Sequence, residues 1–184
     1  MINLIPKIKR LAHIVEVAMT YKYSDLKRTR EYYIRHYDNA QIDSHVVLYE
    51  SRDGQSMTDS PLAIFRYLKA NKQYQDLQHV WVVTDTSKKH IEKMVANLPK
   101  DYGKDIIWIK RNSIDYAKWL LRAKYLITNS TFQSFWHKKT EQIYINTWHG
   151  TPLKFMGYDI PGSKTSLKNV QRNLFMADYI ISPN

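Results

Sequence analysis

The chain has 184 residues, a formal net charge of +11 at pH 7 and no cysteine. This length suits one large domain, or a domain with an appendage, that buries a hydrophobic core, and two full domains are not expected. The missing cysteines exclude disulfides and thiolate metal sites, while the positive charge favours a polyanionic partner such as nucleic acid, anionic lipid head groups or a phosphate-bearing substrate.

Residues 1–43 are predicted to form a basic helical region before the main domain. Apolar residues recur at helical spacing between Ile5 and Met19 with basic residues among them, and a second helix rich in Arg and Tyr is predicted over residues 24–37. The pattern fits a basic amphipathic element that lies on an anionic membrane surface. It is more typical of a helix packed against the domain, because half-buried helices have this pattern by default.

From residue 44 onward, short β-branched or aromatic runs alternate with segments of helical character, which predicts a Rossmann-like parallel α/β sheet with flanking helices. Ser60 and Ser113 are expected to cap two of these helices. All apolar runs are strand-sized, so neither a membrane-spanning helix nor a signal peptide is predicted. The predicted strands cover residues 45–49, 80–83, 106–109, 125–128, 143–146 and 179–182, and the predicted helices cover 61–70, 88–97, 114–122 and 164–176.

Polar turns follow three of these strands, over residues 51–61, 128–131 and 147–154. In a parallel sheet they would converge on one edge, where ligands of open α/β sheets bind. The first turn contains Gly54 and several hydroxyls that could grip a phosphate or a polyol. The second contains Asn129, whose amide suits sugar or glycerol hydroxyls. Either turn alone is also typical of an ordinary loop.

The third turn presents His149 at the end of an apolar strand, with Gly150 supplying a flexible position and Pro152 ending the ladder. A histidine with a pKa near 6.5 is the natural general base at neutral pH. The other histidines lack metal-ligand spacing, and the sequence has no glycine-rich dinucleotide or phosphate loop. We therefore expect no metal, no cofactor and no nucleic acid partner.

Four runs of this sequence resemble the CDP-glycerol glycerophosphotransferase family, the teichoic acid primases and polymerases. The most specific run is Thr-Trp-His-Gly-Thr-Pro-Leu-Lys at 147–154, followed by Gly157 and Asp159. The run at 50–61 resembles the family's glycine loop. The runs at 123–129 and 178–184 resemble its Ala-Lys-Tyr strand and the segment leading to its second domain.

The resemblance implies that residues 44–184 are the acceptor-side, N-terminal domain of a GT-B fold, and that the C-terminal donor domain is absent. It implies transfer of glycerol phosphate from CDP-glycerol, or a similar CDP-alditol, to a lipid-linked polyprenyl-diphosphate saccharide. His149 would be the general base, and the chain alone would be inactive. The expected location is the inner face of the cell membrane, as a peripheral protein. The implied substrate-binding residues are Gly54, Asp59, Asn129, Gly150, Thr151 and Lys154.

Two other functions are compatible with the sequence. A GT-B glycosyltransferase using a nucleotide-sugar would share the architecture, and only the donor side would distinguish it. A truncated, non-catalytic module that binds membrane or polyanion would suit the charge of +11. The intact His149 turn argues against such a module, because binding alone has no use for that geometry.

Overall fold

The computed structural model describes residues 24–148 and 168–181, which contain one sheet of six parallel strands. The strand order is β3-β2-β1-β4-β5-β6. The strands are β1 (Asp43–Glu50), β2 (Gln78–Val83), β3 (Ile106–Lys110), β4 (Ala123–Thr128), β5 (Ile143–Asn146) and β6 (Tyr179–Ile180).

This order is that of the Rossmann fold, so the predicted fold class is confirmed. The chain winds outward through β2 and β3 on one side of β1, and through β4, β5 and β6 on the other. The direction of winding therefore reverses between β1 and β4. Ligands of open α/β sheets bind in the crevice outside the carboxyl ends of the strands at such a reversal.

Five α-helices flank the sheet within the described residues: α1 (Asp25–His36), α2 (Asp59–Ala70), α3 (Lys88–Val95), α4 (Ile114–Arg122) and α5 (Lys168–Met176). None of them is long and apolar enough to cross a membrane. The start of the helix predicted at 164–176 falls partly outside the described residues, and its end matches the end of α5.

The core lies on both faces of the sheet because successive strand side chains point to opposite sides. In β1, Val46 and Leu48 pack into the cluster that includes helix α4, whereas Val47 and Tyr49 pack into the cluster that includes Phe65 of α2. Both faces of the central strand are thus buried, as is usual for parallel sheets.

Helix α1 packs against the sheet domain. Its Thr29 hydroxyl donates to the backbone oxygen of Asn112 at 2.5 Å, and the Tyr33 hydroxyl donates to the backbone oxygen of His137 at 2.7 Å. Both Thr29 and Tyr33 are buried. The packed-helix alternative therefore describes residues 25–36. The first predicted helix lies outside the described residues, and the division of the chain at residue 44 stays a prediction.

One of the two predicted helix caps is confirmed and the other is wrong. The Ser113 hydroxyl accepts a hydrogen bond from the Tyr116 backbone N–H at the start of α4. Helix α2, in contrast, begins at Asp59 with Thr58 as its N-cap, so Ser60 lies within the first helical turn of α2 and does not cap it. Proline is tolerated throughout a first turn, where its missing N–H has no helical partner. Pro61 therefore did not fix the first residue of the helix.

Candidate functional site

The turns that follow β1 and β4 meet at the side chain of Asn129. Its amide oxygen accepts from the backbone N–H of Arg52 at 2.8 Å. Its amide nitrogen donates to the Asp59 carboxylate at 3.0 Å and to the Ser51 hydroxyl at 3.3 Å. Asn129 is fully buried. The predicted convergence of the first two polar turns therefore occurs, directly at the reversal point between β1 and β4.

The third turn starts beside the second. The Thr147 backbone N–H donates to Thr128 O at 2.9 Å, and the Asn146 side-chain amide donates to Ser130 O at 2.9 Å. The Trp148 backbone N–H in turn donates to the Asn146 side-chain oxygen at 2.8 Å. The chain is thus led toward the same edge up to Trp148. The predicted site residues His149, Gly150, Thr151 and Lys154 lie outside the described residues, and their roles stay predictions.

Gly54 occupies a position that only glycine fits well. Its φ is +79°, and a Cβ atom there would lie 3.2 Å from the backbone carbonyl carbon of Val83. The close approach of the two backbone segments allows a hydrogen bond, in which Thr84 N–H donates to Gly54 O at 2.9 Å. Gly54 therefore ties the turn after β1 to the end of β2.

Several residues without glycine's freedom also adopt left-handed backbone at this edge. Arg52 has φ +47°, Asp53 +56°, Asp59 +59° and Trp148 +48°. This region is uncommon for non-glycine residues, and for a bulky one such as tryptophan it is an outlier. Strain of this kind persists only where the surroundings enforce it, and it clusters at functional sites.

Asp59 is a fixed part of this arrangement. Besides Asn129, its carboxylate binds the Arg52 side chain, with 2.9 Å between Arg52 Nε and Asp59 Oδ2. The Asp59 side chain is only 35% exposed. In the described structure the Asp59 carboxylate holds the first turn to the second, and its contacts with Asn129 and Arg52 fix its orientation.

A buried polar network beneath the first turn was not anticipated from the sequence. Glu50 is fully buried at the end of β1, where its carboxylate accepts from Arg111 Nε at 2.8 Å and from the Tyr116 hydroxyl at 2.8 Å. Burial raises the pKa of Glu50, and the charge of Arg111 and the hydroxyl of Tyr116 act against that rise. The only sequence signals were a carboxylate ending an apolar strand and an arginine following β3.

The described part of the edge offers hydrogen-bonding groups and one exposed guanidinium, which is paired with Asp59. Ser56 and Thr58 contribute hydroxyls, and Arg52 contributes a guanidinium whose side chain is 60% exposed. These groups suit the oxygens of a phosphate or a polyol. Among residues 24–148 and 168–181, no group of three or more His, Cys, Asp or Glu is arranged to hold a metal ion.

The fold and this edge together define a Rossmann-like domain with a polar region at the strand reversal, the position at which open α/β sheets bind ligands. The chain belongs to the CDP-Glycerol:Poly(glycerophosphate) glycerophosphotransferase family, whose model matches residues 31–184. The predicted family resemblance is therefore confirmed.

Similar proteins include two teichoic acid poly(glycerol phosphate) polymerases. The one from Bacillus spizizenii is 31% identical over 76% of this chain and 34% of its own length. The one from Staphylococcus epidermidis is 30% identical over 96% of this chain and 23% of its own length. Each match thus relates this chain to one portion of a longer enzyme.

A solved structure of the wall teichoic acid polymerase TagF, a His-to-Asn variant soaked with CDPG, matches with a TM-score of 0.69 and 27% identity. The match covers 100% of this chain and 43% of that one. The chain thus spans less than half the length of each of these relatives.

Proposed function

We propose that the protein transfers glycerol phosphate from CDP-glycerol to a hydroxyl of a lipid-linked acceptor during teichoic acid synthesis. Family membership supports the class of reaction, and the names of the relatives support the polymer. The observation that carries the proposal to this chain is Asn129, which joins the turns after β1 and β4 at the reversal point of the sheet.

In the proposed reaction, an acceptor hydroxyl oxygen attacks the β-phosphorus of CDP-glycerol. The new P–O bond forms as the bond to CMP breaks, CMP leaves with its electron pair, and His149 takes the hydroxyl proton. Most of the catalysis of phosphoryl transfer is positioning and stabilisation of oxygen charge. A general base typically adds about 10²- to 10⁴-fold.

The proposed binding roles follow the chemistry of each group. Gly54 and Asn129 shape the first two turns, and Asp59 would accept from a hydroxyl of the glycerol or of the acceptor. In the third turn, the backbone amides of Gly150 and Thr151 and the ammonium of Lys154 would stabilise phosphate oxygens. The acceptor is proposed to be a polyprenyl-diphosphate saccharide, and no further cofactor is required by this scheme.

We also propose that the protein acts at the inner face of the cell membrane as a peripheral protein. On α1, Leu26, Arg30 and Ile34 follow one another at four-residue spacing, and all three are exposed. A line of apolar and basic side chains on an exposed helix face suits an anionic lipid surface. Flotation should recover more protein with liposomes that contain anionic lipid than with neutral ones, and equal recovery would contradict the electrostatic part of this proposal.

The activity is tested by following CMP release from CDP-glycerol with a lipid-linked acceptor analogue. The 184-residue chain is compared with a longer gene product that includes a region corresponding to the remainder of its relatives. We expect activity in the longer product alone, since the relatives extend well beyond the matched portion. Release of a nucleotide from a nucleotide-sugar, with none from CDP-glycerol, would favour a glycosyltransferase instead.

The role of His149 is tested by His149→Ala in the same product. We expect transfer to be abolished while the circular dichroism spectrum and the melting temperature stay unchanged. His137→Ala is the matched control, because His137 is an exposed histidine that follows β4 and lies outside the proposed site. If His149→Ala retained more than about a tenth of the wild-type turnover, the general-base assignment would be wrong, since a base contributes at least about 10²-fold.

A further inference from the structure

Arg111 connects elements that the chain itself keeps apart. It follows β3, and its backbone N–H donates to Val83 O at 2.7 Å at the end of β2. Its side chain then reaches past β2 to the end of β1, where Nε donates to Glu50 at 2.8 Å. One terminal nitrogen donates to the Asp53 carboxylate at 2.9 Å and lies 3.5 Å from Thr131 O. One guanidinium therefore touches the turns after β1 and after β4.

Glu50, one of the two carboxylates that Arg111 binds, is anchored in the core. Glu50 is fully buried, and its second carboxylate oxygen accepts from the Tyr116 hydroxyl of α4. The carboxylate is therefore held from two directions, and its position is set by packed elements on both sides. A buried ion pair of this kind stabilises little by itself compared with apolar packing, but it specifies one geometry when all its members are satisfied.

Asp53, the other carboxylate that Arg111 binds, lies in the strained part of the first turn. Asp53 has φ +56° and follows Arg52, which has φ +47°. The Asp53 oxygen that binds Arg111 also accepts from the Ser130 hydroxyl at 3.2 Å. Two contacts from outside the turn thus hold its left-handed backbone, which would otherwise relax.

We propose that Arg111 is a positioning residue, which holds Asp53 against the buried Glu50 so that the first turn keeps the backbone that brings Gly54 and Asp59 to Asn129. This inference rests on the proposed function, in which that turn binds substrate. The residue must be arginine, because the planar fork reaches two carboxylates at once, whereas a lysine ammonium offers one point of contact.

Asp53→Asn is the most direct test, because it removes the negative charge of Asp53 and leaves the Arg111–Glu50 ion pair intact. Asparagine also tolerates left-handed backbone, so the turn is not disrupted by the substitution itself. The matched control is Asp115→Asn, which removes an exposed carboxylate that pairs with Lys118 at 2.9 Å on α4. A second variant, Arg111→Lys, keeps the positive charge and loses the fork, with Arg122→Lys as its control at the other edge of the sheet, where Arg122 pairs with Asp43.

The steady-state constants of transfer separate positioning from plain stability. A variant that only loses folded protein shows a lower apparent kcat and an unchanged KM. We expect Asp53→Asn and Arg111→Lys to raise KM by about 10- to 100-fold with kcat nearly unchanged, since a misplaced turn weakens ground-state and transition-state binding alike. An unchanged KM in both variants would overturn the proposal.

Hydrogen exchange of the first turn gives a readout that does not depend on activity. The amides of Arg52 and Gly54 donate to Asn129 and to Ser51 O, so they should exchange slowly in the wild type. We expect faster exchange over residues 51–58 in Asp53→Asn and Arg111→Lys, and wild-type rates in both controls. If the wild-type gene product released no CMP from CDP-glycerol, the proposed function would fail while exchange still decided the positioning role. Wild-type exchange rates in both variants would overturn that role.

Discussion

Each edge of the sheet contains a buried side-chain amide that binds backbone groups, and the two edges differ in backbone strain. At the carboxyl edge, Asn129 binds across two turns whose residues include several with positive φ. At the amino edge, Gln142 is just as buried, and it donates to Leu120 O at 2.7 Å and to Ala123 O at 2.9 Å. Its turn contains no residue of positive φ among those described.

This difference separates structural from functional use of the same chemistry. A buried amide at either edge satisfies backbone groups that would otherwise be costly to bury. Within residues 24–148 and 168–181, the carboxyl edge alone combines such an amide with left-handed residues such as Arg52 and Asp59. Since that backbone costs free energy, we interpret it as the geometry that substrate binding requires.

The largest contrast is expected between Asn129→Leu and Gln142→Met. Each substitution replaces a buried amide by an apolar side chain of similar size and leaves backbone partners unpaired, which costs about 1–3 kcal/mol per unsatisfied group. Both should therefore unfold at lower urea concentration. In addition, Asn129→Leu should lower kcat/KM by about 100-fold because the first two turns separate. Equal activity losses in the two variants would remove the functional distinction between the edges.

A second contrast uses pH. Burial and the nearby charge of Lys69 lower the pKa of His79, near the start of β2, to about 4 from 6.5. The unfolded chain therefore binds a proton at His79 more readily than the folded protein does. The contribution of neutral His79 to the free energy of unfolding is fully present above pH 6.5 and is lost as the pH falls toward 4. The loss should reach about 3 kcal/mol at pH 4.

Urea unfolding of the wild type and of His79→Gln between pH 7 and pH 4 measures this effect. The variant has no imidazole to titrate, so the difference in unfolding free energy between the two proteins should shrink or reverse as the pH falls. A difference that stays constant with pH would show that His79 titrates normally in the folded protein. The pH profile of KM should not follow His79, because that residue is remote from the turns at the carboxyl edge.

A third contrast compares two glycines. Gly54→Ala places a Cβ 3.2 Å from the Val83 carbonyl carbon at φ +79°, whereas a Cβ at Gly103 would make an ordinary 3.6 Å contact with Val95. The left-handed backbone alone costs alanine roughly 1–2 kcal/mol. Thermal unfolding should therefore show that Gly54→Ala lowers the free energy of unfolding by at least this amount, and that Gly103→Ala changes it little. Equal melting temperatures would mean that the first turn relaxes without cost.

The smallest contrast concerns helix starts at the carboxyl edge. Ser113→Ala should cost about 1 kcal/mol, because it removes the acceptor for the Tyr116 N–H. Ser60→Ala should cost much less, since Ser60 lies inside α2 and does not cap it. Chemical denaturation of both variants gives the comparison, and a larger loss at Ser60 would reverse the assignment of the two caps.

Much of the fold follows from local sequence pattern. The buried run Val46–Tyr49 lies within β1, and the helix predicted at 114–122 has those bounds in the structure. Convergence of the first two turns also followed, because parallel strands place their carboxyl ends together. Periodicity and chain order are local properties, so a single sequence is enough to predict them.

The details of the site depend on contacts that local pattern does not encode. Glu50 and Arg111 lie in different α/β units, and their pairing appears only once β3, β2 and β1 are aligned. The left-handed backbone of Arg52 and Asp53 is likewise set by tertiary contacts, so it could not be predicted from these two residue types alone. Sequence therefore located the edge of the sheet and missed the link that holds its first turn.

The central claim, that the carboxyl edge binds the substrates, is tested most directly by hydrogen-exchange mass spectrometry of the full gene product with CDP-glycerol and a lipid-linked acceptor analogue. We predict that the ligands slow exchange over residues 51–59 and 128–131 and leave residues 37–43 and 138–142 at the amino edge unchanged. Slowed exchange at the amino edge alone, or at neither edge in a catalytically active preparation, would contradict the account.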